Sequence, residues 1–148
     1  MCSGFQPFIE NVAAADIEVG NFRNPGHNSL LIQISDPGGW KPTSEYKFSK
    51  ILQFEFLDIE TVDLADDPAL EDSIIQIAQA KEILAALLSA KEEGQNVIVH
   101  CYAGVSRSGA VVEFGKLLGF RDVGGYRSPN ARIYEMLSDL YAKEHLNG

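Results

Sequence analysis

Cysteine is scarce in this chain: among 148 residues only Cys2 and Cys101 carry thiols. Two thiols so far apart in sequence make no disulfide framework, so a reducing, cytoplasmic setting is expected. Long hydrophobic runs are missing too. The apolar stretches last only a few residues, so no membrane-spanning helix is expected. Met1 to Pro7 contain no basic segment followed by an apolar one, and no secretory leader is expected. Positive charge is in short supply, with 12 Lys and Arg against 21 Asp and Glu and a net charge of −9. That balance disfavours nucleic acid or an anionic membrane as the main partner, although a local field can still favour a small anion. Metal-ligand spacing is absent: His27 and His145 have no ligand-like neighbours, and the adjacent His100 and Cys101 lack a second pair. No Gly-Lys-Ser/Thr occurs, which excludes a nucleotide P-loop. Neither a metal nor another cofactor is expected.

What is present is an ordinary core supply, 45% hydrophobic and 22% charged residues, enough for one soluble domain over residues 1–148 and expected to be a monomer. Phe8–Val12 reads as a strand and Ala13–Ile17 as a short helical piece. Leu30–Ile34 is a second strand, closed by Asp36-Pro37-Gly38-Gly39, and Ile51–Phe56 a third. Asp67-Pro68 is a helix-start signal, and Ile77, Ala80, Leu84, Leu87 and Leu88 share one face of the long helix expected to follow. After Gly94, Asn96–His100 is a short apolar strand of the kind buried in a sheet centre. Ser106–Leu118 reads as a helix ended by Gly119, and Ser128-Pro129 opens a last one. The alternation implies an α/β fold: a small central mixed, largely parallel sheet flanked by helices. Ligands in such sheets gather at the carboxyl ends of strands.

At the end of the Asn96–His100 strand stands His100-Cys101-Tyr102-Ala103-Gly104-Val105-Ser106-Arg107-Ser108. A loop passing from a buried strand into a helix can turn successive backbone N–H groups inward and make an anion nest. Gly104 lets that backbone curl. Arg107 falls in the first helical turn, where its planar guanidinium can fork onto two phosphate oxygens. The same positive field favours a thiolate at Cys101, placed beneath a cradled phosphate for in-line attack.

This run resembles the signature loop of the protein tyrosine phosphatase superfamily, His-Cys-five residues-Arg-Ser/Thr, and the flanks Val97–Val99 and Gly109-Ala110 are similar as well. The resemblance extends from about Ile51 to Tyr141, and is nearest to compact dual-specificity enzymes of bacterial or phage type. It implies a phosphocysteine intermediate on Cys101, with Arg107 binding substrate and stabilising the transition state. Backbone amides from Tyr102 through Ala103, Gly104, Val105 and Ser106 to Arg107 would hold the phosphate oxygens. Ser108 would hydrogen-bond the sulfur, and His100 would orient the loop and tune the thiol. The substrate implied is a phosphorylated protein or peptide.

A leaving alkoxide or phenoxide needs a proton donor, which the family supplies from an Asp on the loop after the strand preceding the long helix. Asp58, Asp63, Asp66 and Asp67 are the candidates. Asp67 suits a helix cap; Asp58, directly after the aromatic strand Gln53–Leu57, is favoured, with Asp63 second. The Trp-Pro-Asp triplet of large tyrosine phosphatases is absent. Tyr126–Asn130 resembles the family loop whose Pro-Asn pair supports the phosphate loop, and fits plain helix capping equally. Trp40 fits either a site rim or the core, and Tyr102 is expected to point outward. A lipid, nucleotide or RNA 5′-end phosphatase is the alternative enzyme. Inositol-lipid members carry Lys in the loop, where Tyr102 and Val105 stand here. A non-catalytic phosphate-binding module would need a disabled Cys or Arg. The short chain leaves few residues for a deep phosphotyrosine cleft, so a shallow site is expected.

Overall fold

A parallel sheet covered by apolar side chains on both faces organises the molecule. A computed structural model describes residues 6–60 and 67–146. The described residues contain five strands: β1 (Phe8–Ala13), β2 (Ser29–Ser35), β3 (Lys50–Glu55), β4 (Asn96–Cys101) and β5 (Arg121–Asp122). They form one sheet in the order β3-β2-β4-β1-β5, and every ladder is parallel. The expected α/β sheet is therefore found, and its pairing is parallel throughout the described residues. Among the described residues four α-helices accompany it: α1 (Ala14–Val19), α2 (Ile77–Glu93), α3 (Arg107–Leu118) and α4 (Ala131–Tyr141).

Successive strand side chains point to opposite faces. Ile9, Leu30, Ile32, Ile34, Val97, Val99 and Cys101 face the large core built with α2, α3 and α4. Phe8, Val12, Leu31 and Ile98 face a smaller cluster with Ile17 of α1. β2 is buried at every position, which accounts for its near-continuous apolar run. Each fully buried Ile or Leu contributes roughly 1.5–3 kcal/mol. β4 lies between β2 and β1, so its carboxyl end opens at the middle of the sheet.

The helix expected from Asp67-Pro68 is two elements. Pro68–Ser73 is a 3-10 turn, capped by the Asp67 carboxylate accepting from Ala69 N–H at 3.2 Å. Ile74 is extended, and α2 starts afresh at Ile77, where Gln79 Oε1 accepts from Gln76 N–H at 2.8 Å. A helix start signal marks where a chain turns in, not how far the helix runs. Ile77, assigned to the buried face, is exposed; Ala80, Ile83, Leu84, Leu87 and Ala90 are the buried stripe. By length and composition alone Pro68–Glu93 would suffice to cross a membrane, contrary to the expectation from short apolar runs. Its apolar stripe is already covered by the sheet and the neighbouring helices. α4 begins two residues later than Ser128-Pro129 suggested, with Asn130 as its cap. Cys2, Asp63 and Asp66 lie outside the described residues.

Candidate active site

The chain leaves β4 at Cys101, curls through residues 102–106 and enters α3 at Arg107. Gly104 makes the curl possible. Its φ is +73°, and a Cβ there would stand 2.4 Å from the Ala13 nitrogen and 2.5 Å from the Val12 carbonyl carbon. The loop is pressed against the end of β1, and Ala14 N–H donates to the Tyr102 carbonyl at 3.1 Å. Tyr102 is 74% exposed and points outward as expected.

Cys101 lies at the base of this loop, 2% exposed. Its Sγ is 3.2 Å from Ser108 Oγ and accepts from Ser108 N–H at 3.4 Å. Burial pushes the thiol pKa up, but the Ser108 hydroxyl and the backbone N–H groups of Ser108, Gly104 and Val105 outweigh it, and the net shift is downward. Stabilising donors around a sulfur favour the thiolate.

Arg107 is 6% exposed, in the first turn of α3. Its Nη1 donates to Asp36 Oδ1 at 2.7 Å and to the Phe56 carbonyl at 2.8 Å. Its Nε is buried and has no hydrogen-bond partner among the described residues. Asp58 is exposed beside the loop. Its Oδ1 accepts from Ser106 Oγ at 2.8 Å and from Asn130 Nδ2 at 2.7 Å. The structure thus brings Asp58 to the same loop that carries Cys101 and Arg107. Asp67, the capping candidate, does cap.

His100 stands apart from this grouping. It points to the face of the sheet opposite Cys101 and is fully buried, with neither ring nitrogen at hydrogen-bond geometry. Burial, with the positive charge of Arg107, pushes its pKa down to about 4, so the ring is neutral near pH 7. Trp40 is 52% exposed and does not belong to the core.

Asn130 fills both roles considered for it. Its Oδ1 caps α4 by accepting from Ile133 N–H at 3.0 Å, while its Nδ2 holds Asp58 and the Ile59 carbonyl. Asn130 N–H donates to the Ser106 carbonyl and Ser128 N–H to the Val105 carbonyl, each at 3.1 Å. Glu60 accepts from the N–H groups of Ala131 at 2.9 Å and Arg132 at 3.2 Å, tying the segment after Asp58 to the α4 N-terminus.

Three supporting residues were not anticipated. Asn11 of β1 donates through Nδ2 to the Gly104 carbonyl at 2.8 Å and the Tyr126 carbonyl at 3.1 Å. Arg127 donates to Asn11 Oδ1 at 3.2 Å, to Glu113 at 2.7 Å and to Asp122. Burial acts to raise the Glu113 and Asp122 carboxyls, yet the Arg127 guanidinium holds both below their ordinary values. Asp36 is the third. The Pro37-Gly38 turn after β2 was its only sequence cue, and a turn does not reveal what its first side chain meets.

No family model matches the chain, and no solved structure matches it. Among curated proteins it is similar to dual specificity protein phosphatase 12 of Mus musculus, 34% identical over 100 residues, covering 68% of this chain and 26% of that protein. It is similar also to dual specificity protein phosphatase OPG106 of Variola virus, 32% identical over 111 residues, covering 72% of this chain and 57% of that protein. The chain thus spans a quarter to somewhat over half of the length of these relatives.

Proposed function

We propose, from the premise that this chain belongs to the dual-specificity-like branch of the protein tyrosine phosphatase superfamily, that it is a cysteine-dependent protein phosphatase. It hydrolyses phosphotyrosine, and phosphoserine or phosphothreonine where a shallow site admits them, through a phosphocysteine intermediate. The observation that carries this reading is Cys101: a buried thiol with a lowered pKa, ringed by N–H and O–H donors, on one loop with a buried Arg107.

The Cys101 thiolate attacks phosphorus. The S–P bond forms as the ester P–O bond breaks, and Asp58 gives its proton to the departing oxygen. Asp58 Oδ1 is engaged by Ser106 and Asn130, which leaves Oδ2 to carry that proton. Arg107 and the inward amides of residues 102–107 hold the phosphoryl oxygens as charge shifts among them. Water then attacks the phosphocysteine, and the Asp58 carboxylate accepts its proton. The S–P bond breaks and inorganic phosphate leaves. Ser108 Oγ stabilises the returning thiolate. His100 contributes as a neutral ring behind the strand. The thiolate must stay reduced, which suits a cytoplasmic setting.

Hydrolysis of para-nitrophenyl phosphate in the presence of a chelator, wild type beside Cys101→Ser, tests this. Metal-free turnover in the wild type and none in the variant is the expected result. A folded, reduced wild type without turnover would overturn the enzyme reading in favour of a phosphate-binding module.

A further inference from the structure

We propose that Glu60 is a positioning residue: it docks the segment carrying Asp58 onto the start of α4 and so sets the direction of the Asp58 carboxylate. This rests on the reading of Asp58 as the proton donor.

The first N–H groups of a helix have no acceptor within the helix. α4 meets this need from two places. Its own cap, Asn130 Oδ1, accepts from Ile133 N–H at 3.0 Å. The N–H groups of Ala131 and Arg132 go instead to Glu60, to Oε2 at 2.9 Å and Oε1 at 3.2 Å. Each oxygen of one carboxylate thus holds one of two successive amides, at the positive end of the helix. Glu60 lies far from α4 in sequence. The same pair of bonds that caps the helix therefore anchors a distant segment to it, and Asp58 is two residues away on that segment.

Asp58 needs an anchor of this kind. It is exposed and lies past the end of β3. The chain before it is fixed, with Phe56 N–H donating to the Ser35 carbonyl at 3.0 Å and Leu57 N–H to the Ser73 carbonyl at 2.7 Å. The chain after it is fixed by the Ile59 carbonyl, which accepts from Asn130 Nδ2 at 3.1 Å, and by Glu60. The bonds on the Asp58 side chain itself, from Ser106 Oγ and Asn130 Nδ2, both end on Oδ1. Two bonds to one atom fix a point and leave the carboxylate free to pivot about it. The direction of Oδ2, the oxygen left to carry the proton, is set by the backbone on either side, and Glu60 supplies the charged anchor on the far side. Proton transfer needs a reach of about 2.6–3.2 Å, and a misplacement of about 1 Å can cost roughly a hundredfold in rate.

The test compares Glu60→Ala and Glu60→Gln with wild type by kcat/KM on phenyl phosphate and para-nitrophenyl phosphate, and by vanadate affinity measured calorimetrically. A nitrophenolate leaves readily without a proton, whereas a phenolate depends on one. In Glu60→Ala, kcat/KM should fall at least tenfold for phenyl phosphate and stay within threefold of wild type for the nitrophenyl ester and for vanadate. The alkaline limb of its phenyl phosphate pH profile, which reports protonated Asp58, should flatten. Glu60→Gln keeps one acceptor oxygen and should lie between the two. A folded Glu60→Ala in which both esters fall equally, or neither falls, would overturn the proposal. Hydrogen exchange of the Asn130 side-chain amide, held on Asp58 and the Ile59 carbonyl, reads the docking without turnover and should be at least tenfold faster in Glu60→Ala. Unchanged exchange would overturn the docking even in an active enzyme. Faster exchange beside an inactive wild type would sustain the docking and overturn the enzyme reading alone.

Discussion

At Cys101 two opposing effects act on one sulfur. Burial disfavours the thiolate, while donors from Ser108, Gly104 and Val105 favour it, and the donors win. The Ser108 hydroxyl is the largest of the favourable contributions, ahead of the backbone groups. Removing it leaves burial intact and takes away a charge-assisted hydrogen bond worth about 1.5–3 kcal/mol. Ser108→Ala should therefore raise the thiol pKa. Iodoacetate alkylation of Cys101 followed against pH reads this directly: the rate in Ser108→Ala should reach its plateau at higher pH than in wild type. An unshifted profile would leave the backbone groups to account for the whole effect. On the proposed mechanism, turnover should fall more than KM rises, since the same hydroxyl would stabilise the sulfur as it leaves phosphorus.

At the level of elements, the 101–107 loop is a strand-to-helix connection braced from two sides. β1 meets it at Gly104, the segment before α4 meets it at Val105 and Ser106, and Asn11 ties these two braces together. Gly104→Ala is strained twice, by a left-handed φ and by contact with the backbone of Ala13. The conformation alone costs roughly 1–2 kcal/mol, and backbone cannot swing aside as a side chain can. The expected outcome is a loop displaced from β1, with vanadate affinity lowered at least tenfold and the thermal midpoint lowered as well. An affinity equal to wild type would mean the loop tolerates the displacement. The loop itself was legible in the sequence because its chemistry is contiguous: Cys101 to Ser108 need only a strand before and a helix after. Its braces were not. Asn11 and Asp36 reach the loop only through the parallel register of β1, β2 and β4, and no local spacing records which residues of distant strands lie side by side. Asp58 was an intermediate case, since its place after β3 could be read but its bond to Ser106 could not. β5 is two residues long and leaves no periodicity to detect. The 3-10 turn at Pro68 shares its start signals with an α-helix, which is why one long helix was expected there.

Over the whole molecule, the two faces of β4 have different duties. Cys101 looks toward the large core shared with α2, α3 and α4, while His100, one residue before it, is sealed against the α1 face with its ring neutral. That arrangement couples folding to pH. The unfolded chain protonates His100 near its ordinary value of 6.5, whereas the folded protein resists protonation until about 4. Stability from this group is thus fully present above pH 6.5 and is lost as pH falls toward 4, by on the order of 3 kcal/mol in all. Glu113 and Asp122 are also held below their ordinary values, but they are carboxylates, and their contribution disappears only around pH 4.5 and below. Glu10 of β1 is shifted the other way, raised by burial, and adds stability as pH falls through the same interval, so the histidine contribution is read as the difference between wild type and His100→Asn. Urea unfolding between pH 4.5 and 7.5 should show wild-type stability falling as pH drops below 6.5. In His100→Asn that fall should be missing over the interval, leaving only the carboxylate contributions. A wild-type curve already flat from 6.5 to 4.5 would mean that His100 takes up its proton in the folded state, and that the α1 face of the sheet admits solvent behind the loop.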